Sequence, residues 1–84
     1  MTSNFFDLEI ITPHSVQLLK IQWIEVESPT GSFLVGYDHT PLVSILKQKS
    51  LLLYKTNEGE EYAIEIHGGL FKVINNKALV LLDQ

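Results

Sequence analysis

Cysteine and arginine are absent from the 84-residue sequence, and it holds a single tryptophan. Without cysteine there is no disulfide framework and no thiolate metal site. Arginine is the preferred bidentate clamp for phosphate. Its absence, with ten acids against six lysines and a net charge of -4, argues against nucleic-acid or phosphate binding. No apolar run approaches the length of a membrane span: Leu51-Leu52-Leu53 and Leu79-Val80-Leu81-Leu82 are far too short, so direct membrane insertion is not expected. Met1-Thr2-Ser3-Asn4 has no basic start and no apolar core, so it does not read as a signal peptide. Helical periodicity is also missing. These absences leave a soluble intracellular protein as the default, with one small domain over residues 1–84. A chain of that size buries somewhat over ~60% of its unfolded surface, enough for one modest core.

What is present is strand pattern and turn punctuation. From Phe5 to Thr12 the residues alternate, with Phe6, Leu8 and Ile10 on one face and Asp7 and Glu9 on the other. Pro13-His14-Ser15 breaks the run; Val16 to Leu19 resumes it, and Lys20 to Ser28 reads as the next strand. There Ile24 and Val26 share a face, which sets Trp23, Glu25 and Glu27 opposite. An outward tryptophan is either covered by a neighbouring loop or is a contact anchor. Ser28-Pro29-Thr30-Gly31 is a turn by composition. Short strands follow at Phe33 to Val35, Leu42 to Leu46 and Leu51 to Lys55, the last apolar on both faces.

Thr56-Asn57-Glu58-Gly59-Glu60 has the composition of a hairpin turn. Tyr62, Ile64 and Ile66 then form an inner face, with Ala63, Glu65 and His67 opposite. Gly68-Gly69 permits a bend before Leu70 to Ile74, Asn75-Asn76 suits a tight turn, and Lys77 to Asp83 is the last strand. About nine or ten short strands with closely spaced turns imply an all-β fold, a small β-sandwich or flattened barrel.

The chemistry-bearing residues do not form a catalytic pattern. His14, His39 and His67 fall on three separate turns or strand ends, and no HExxH, CxxC or glycine-rich phosphate loop occurs. His39 is read as a turn residue bonding its own loop, the alternative being a direct partner contact. Glu58, Glu60 and Glu61 make an acidic hairpin tip, and no acid pair sits in an apolar context that would raise a pKa for acid catalysis. What remains is apolar surface that so small a domain can hardly bury, at Trp23, Leu52, Leu70, Leu79 and Leu81. Such surface usually meets a protein partner. The residues by themselves lead to a β-sandwich interaction module without cofactor or metal.

The stretch from Gly31 to Leu46 also carries a resemblance. Gly31, Ser32, Phe33, Leu34, then His39-Thr40-Pro41-Leu42 and Leu46 are similar to the segment G-E-x-G-x-x-P-G-H-A-P-L-x-x-x-L. That segment marks the N-terminal β-sandwich domain of the epsilon subunit of rotary F-type ATP synthases. His67-Gly68-Gly69-Leu70-Phe71-Lys72-Val73 resembles the family's S-G-G-F-L-E-V, and Ala78-Leu79-Val80-Leu81-Leu82-Asp83 its V-x-V-L-A-D. Phe6 to Pro13 is similar to its first strand, L-x-V-x-T-P. The departures are Tyr37-Asp38 and Gln48-Lys49, each in place of Pro-Gly, and Ser32 in place of a commonly acidic residue.

The resemblance implies a non-catalytic central-stalk subunit that couples proton-driven rotation of the c-ring to ATP synthesis. It would act at the cytoplasmic face of the cell membrane as part of a peripheral complex. By position, Thr30, Gly31 and Ser32 match the loop that meets the polar loops of the c-ring. His39, Pro41 and Leu42 match the loop near the gamma contact, and Trp23 is a further gamma-facing candidate from its strand phase. The family usually continues into a helical hairpin with a regulatory role. A chain ending at Gln84 would assemble and couple without inhibiting hydrolysis or sensing ATP. The isolated chain would have an uncovered partner face through which a homodimer could form. The alternative is a generic β-sandwich adaptor unrelated to ATP synthase, since sandwiches host many functions.

Overall fold

The computed structural model describes residues 4–84. The reading of the N-terminus as lacking a signal rests mainly on Met1–Ser3, which lie outside the described residues. The strands are β1 (Phe6–Thr12), β2 (Ser15–Ser28), β3 (Gly31–Gly36) and β4 (Leu42–Leu46), then β5 (Ser50–Thr56), β6 (Glu61–Ile66), β7 (Gly69–Ile74) and β8 (Lys77–Leu82). The all-β expectation holds, with eight strands among the described residues rather than nine or ten. The main difference is that Val16 to Leu19 and Lys20 to Ser28 are one strand of 14 residues.

β2 organises the fold because it serves two layers. Its first half pairs with β1, and its second half pairs with β3, with β5 lying along its other side. The hydrogen-bonded order β4-β7-β8-β1-β2-β5-β6 therefore curls on itself, with β3 attached to β2. One layer is β4-β7-β8-β1 with the start of β2, and the other is β3, the end of β2, β5 and β6. β1 and β8 run parallel; the remaining pairs are antiparallel.

The handover from one layer to the other is a β-bulge. Ile21 pairs with Thr56 and Trp23 with Lys55, leaving Gln22 as the extra residue. Ile21 and Ile24 are both fully buried although three residues apart, because the extra residue shifts the alternation by one. The Gln22 amide donates to the Thr56 carbonyl at 3.2 Å, and the Asn57 N–H donates to the Lys20 carbonyl at 2.9 Å. Local ladder groups disturbed by the bulge are thus satisfied.

The core lies between the layers. Phe71, Leu8, Ile21, Ile24, Leu52, Val26, Val35 and Val80 are fully buried within a single cluster. Each such side chain contributes about 1.5–3 kcal/mol on removal from water. Leu52, expected on an outer surface, is at 0% exposure; the phase of Ser50–Thr56 puts Leu52 and Tyr54 inward and Leu51 outward. An unbroken leucine run does not reveal that phase. Tyr62, expected inside, is 46% exposed and leans on Tyr54 instead, with ring centroids 5.4 Å apart.

The turns follow their residues. Asn75 and Asn76 both take positive φ, 50° and 60°, between the paired residues Ile74 and Lys77. That is the backbone a two-residue type I′ hairpin requires. Gly69 opens β7 so close to β8 that a Cβ there would overlap the Leu81 carbonyl oxygen. Among the described residues no helix is long and apolar enough to cross a membrane.

Candidate functional site

The outer face of the β4-β7-β8-β1-β2 layer is built by strict alternation. Residues opposite the core line up in register across all five strands. One row reads Ile45, Leu70, Leu81, Ile11, Val16, each residue paired with the next. The next row reads Val43, Lys72, Leu79, Glu9, Leu18. A third carries Ile74, Lys77, Asp7 and Lys20. The first row is apolar from end to end. Ile45, Val43, Val16 and Leu18 are 60–73% exposed, so the face is uncovered in this chain. Continuous exposed apolar surface of this kind is characteristic of interaction sites.

The third row is tied together by charge. Asp7 and Lys20 are directly paired across β1 and β2, and their side chains meet at 2.5 Å. Both are largely exposed, so the ion pair adds little stability. Beside it a groove of about 610 Å³ has Leu18, Ile74 and Leu79 among its lining residues, together with Lys20, Lys72 and Lys77.

The outer face of the second layer differs in character. Trp23 sits between Gly36 and Lys55, and Glu25 between Leu34 and Leu53. Glu27 is opposite Ser32, while Glu61 and Glu65 edge β6. Lys47 reaches Glu27 at 3.9 Å, and its N–H donates to the Glu27 carbonyl at 2.8 Å. This binds the end of β4 to the end of β2 and closes one margin of the sandwich. Trp23 is half-buried on that acidic face, as its strand phase implied.

The loop from Tyr37 to Pro41 borders the first face at its Ile74–Lys77 end. Asn76 holds it there. The Asp38 N–H donates to Asn76 Oδ1 at 2.7 Å, and Asn76 Nδ2 donates to Asp38 Oδ1 at 2.9 Å. The Asn76 carbonyl meanwhile accepts from the Asp7 N–H at 3.1 Å. One residue therefore joins the start of β1, the β7–β8 turn and the loop. His39 Nδ1 donates to the Thr40 carbonyl at 2.7 Å, the intra-loop bond expected of it. Asn76 had been legible only as a turn former.

The turn at Thr30, Gly31 and Ser32 is exposed and stands at the far end of the molecule's long β2 strand. Ser28 braces it from beneath: its Oγ donates to the Gly31 carbonyl at 2.8 Å and accepts from the Thr30 N–H at 3.2 Å. Of the sequence-derived candidates, His39 and Pro41 thus lie at the edge of the apolar face, whereas Leu42, opposite the buried Val73, turns inward and packs against the core, so its side chain is not on that face. Trp23 lies on the outer face of the other layer, and Thr30–Ser32 form a separate tip.

No three histidine, aspartate or glutamate side chains among the described residues gather as a metal site. The titration shifts that stand out belong to Tyr54 and Tyr62. Burial, reinforced by Tyr62, raises Tyr54 above the ordinary tyrosine range. Its bond to Glu60 raises Tyr62. Both line a shallow cleft with Glu58 and Glu60 at the acidic hairpin tip. The geometry is that of a β-sandwich with one apolar outer face left uncovered.

The comparisons with known proteins place that sandwich. Residues 5–84 match the family described as ATP synthase, delta/epsilon chain, beta-sandwich domain, and the chain belongs to that family. It is 36% identical over 78 residues to the ATP synthase epsilon chain of Myxococcus xanthus, covering 90% of this chain and 55% of that protein. The chain therefore spans about half the length of that relative. It is 31% identical over 80 residues to the epsilon chain of Chlorobaculum tepidum, covering 94% of this chain and 90% of that one. Its fold matches a chain in the structure of the Euglena gracilis mitochondrial ATP synthase, OSCP/F1/c-ring in rotational state 1. There the TM-score is 0.86 at 15% identity, over 100% of this chain and 53% of the other.

Proposed function

We propose that residues 1–84 form one epsilon-type domain serving as a non-catalytic central-stalk subunit of a rotary F-type ATP synthase. In this reading the domain binds gamma and the polar loops of the c-ring, and so couples proton transport to ATP synthesis at the cytoplasmic face of the cell membrane. The observation that carries it is the apolar row from Ile45 to Val16, uncovered across five strands in a chain of epsilon-chain ancestry. Gamma docks on that face, with His39 and Pro41 at its margin and Leu42 supporting them from the core side. The exposed Thr30-Gly31-Ser32 turn meets the c-ring; Ser32 carries no charge, so this contact works through hydrogen bonding and shape. Trp23 falls outside the gamma contact on this assignment, because it looks out from the other layer.

Co-purification of the tagged chain with the gamma subunit of its own organism tests the reading. A one-to-one complex is the expected result. A folded gamma that ignores a folded chain would remove the rotor assignment and leave the generic adaptor.

A further inference from the structure

The groove on the apolar face has a charge character unlike the rest of the molecule. Half of the six lysines, Lys20, Lys72 and Lys77, stand around it in a chain of net charge -4. Two acids share the site: Asp7, which is held by Lys20 at 2.5 Å, and Glu9, which sits between Leu79 and Leu18. Lys72 and Lys77 have no carboxylate within 4.0 Å among the described residues. They flank the apolar floor: Lys72 pairs across the strands with Leu79, and Lys77 with Ile74. Free ammonium groups beside exposed leucine and isoleucine suit a ligand that is apolar along one ridge and anionic at its flank.

We infer that this groove receives an acidic amphipathic segment of the protein partner, its apolar ridge on Leu18, Ile74 and Leu79 and its carboxylates on Lys72 and Lys77. The inference rests on the rotor reading and adds the chemistry of the partner's docking segment. The ammonium groups keep wrong, basic partners away and steer the acidic one in, and the apolar floor supplies the contact area. The acidic outer face around Glu25, Glu61 and Glu65 offers no competing site for such a segment.

The test is the affinity of the full chain for gamma, measured by calorimetry over a range of salt. Wild-type chain is compared with Lys72→Glu/Lys77→Glu and with Lys55→Glu, a charge reversal on the other layer. The double reversal should weaken binding by at least about 30-fold and flatten its salt dependence, while Lys55→Glu should change affinity less than about 3-fold. Unaltered affinity in the double variant overturns the groove assignment and leaves the rotor reading intact. Equal losses in both variants overturn it too, by showing a net-charge effect. Absence of binding by wild-type chain removes the rotor reading and the inference with it. Sedimentation of the chain alone completes the test: self-association abolished by the double reversal would make a second copy the occupant and overturn the proposal.

Discussion

Asp38 and Lys49 hold φ of 61° and 56°, a region that costs a side-chain-bearing residue about 1 kcal/mol or more. Both are the second residue of a pair that stands where the resembled pattern has Pro-Gly. The two departures are thus substitutions for glycine at left-handed positions. They differ in compensation: Asp38 bonds to Asn76 through its side chain and its N–H, whereas the Lys49 side chain is exposed and makes no hydrogen bond or ion pair among the described residues. Lys49→Gly should therefore raise stability by roughly 0.5 kcal/mol, strain relief slightly exceeding the added chain entropy. Urea denaturation of both proteins checks it, and a loss of stability would count against the strained turn. Tyr54 yields a pH dependence. Its folded pKa lies above the unfolded value near 10, so the unfolded chain releases the proton first. The Tyr54 contribution is complete below about pH 10 and declines as pH rises beyond it. Tyr54→Phe should flatten the alkaline fall of the melting temperature, compared with wild type in buffers on both sides of that range.

The elements show what the amino-acid pattern could and could not reveal. β1 was readable from Phe6, Leu8 and Ile10 because one buried face and one solvated face enforce alternation. β4 was readable from its bounding Pro41 and apolar run, and the β7–β8 turn from its two asparagines. The unity of β2 was not readable. Its bulge at Gln22 is set by pairing with β5, some thirty positions on, and nothing local at Lys20-Ile21-Gln22 announces it. Leu51-Leu52-Leu53 and Tyr62 were ambiguous for a related reason, since apolar residues on both faces leave the phase to the partner strand. The site divides the same way. The exposed turn at Thr30–Ser32 and the His39 loop are local features, but the clamp between Asp38 and Asn76 joins residues 38 positions apart. That clamp can be tested alone. Asn76→Gly keeps the positive φ that the turn needs and deletes the side-chain bonds, so it should cost about 1 kcal/mol or less of global stability. The Asp38 amide should exchange markedly faster in the variant by NMR. Unchanged exchange would mean the loop is ordered by something else.

At the scale of the whole molecule, two outer faces of different character are candidates for the proposed gamma contact, and substitution separates them. The β4-β7-β8-β1-β2 face is apolar along an entire row and rimmed by lysine; the β3-β2-β5-β6 face is acidic around Trp23. A partner packed flat on the first buries Leu70 and Leu81 near the centre of the row, where desolvation concentrates binding energy. Leu70 is 39% exposed and points away from the core, so Leu70→Lys should leave the fold within about 0.5 kcal/mol of wild type. In an interface centre the same lysine would bury an unpaired charge and lower gamma affinity by about 100-fold or more. Trp23→Ala reads the other face: on this assignment it changes gamma affinity less than about 3-fold. Binding measured for the pair of variants, with thermal melts to confirm folding, distinguishes the surfaces. Loss with Leu70→Lys alone supports the apolar face. Loss with Trp23→Ala alone transfers gamma to the acidic face, and the lysine-rimmed groove would then need another occupant.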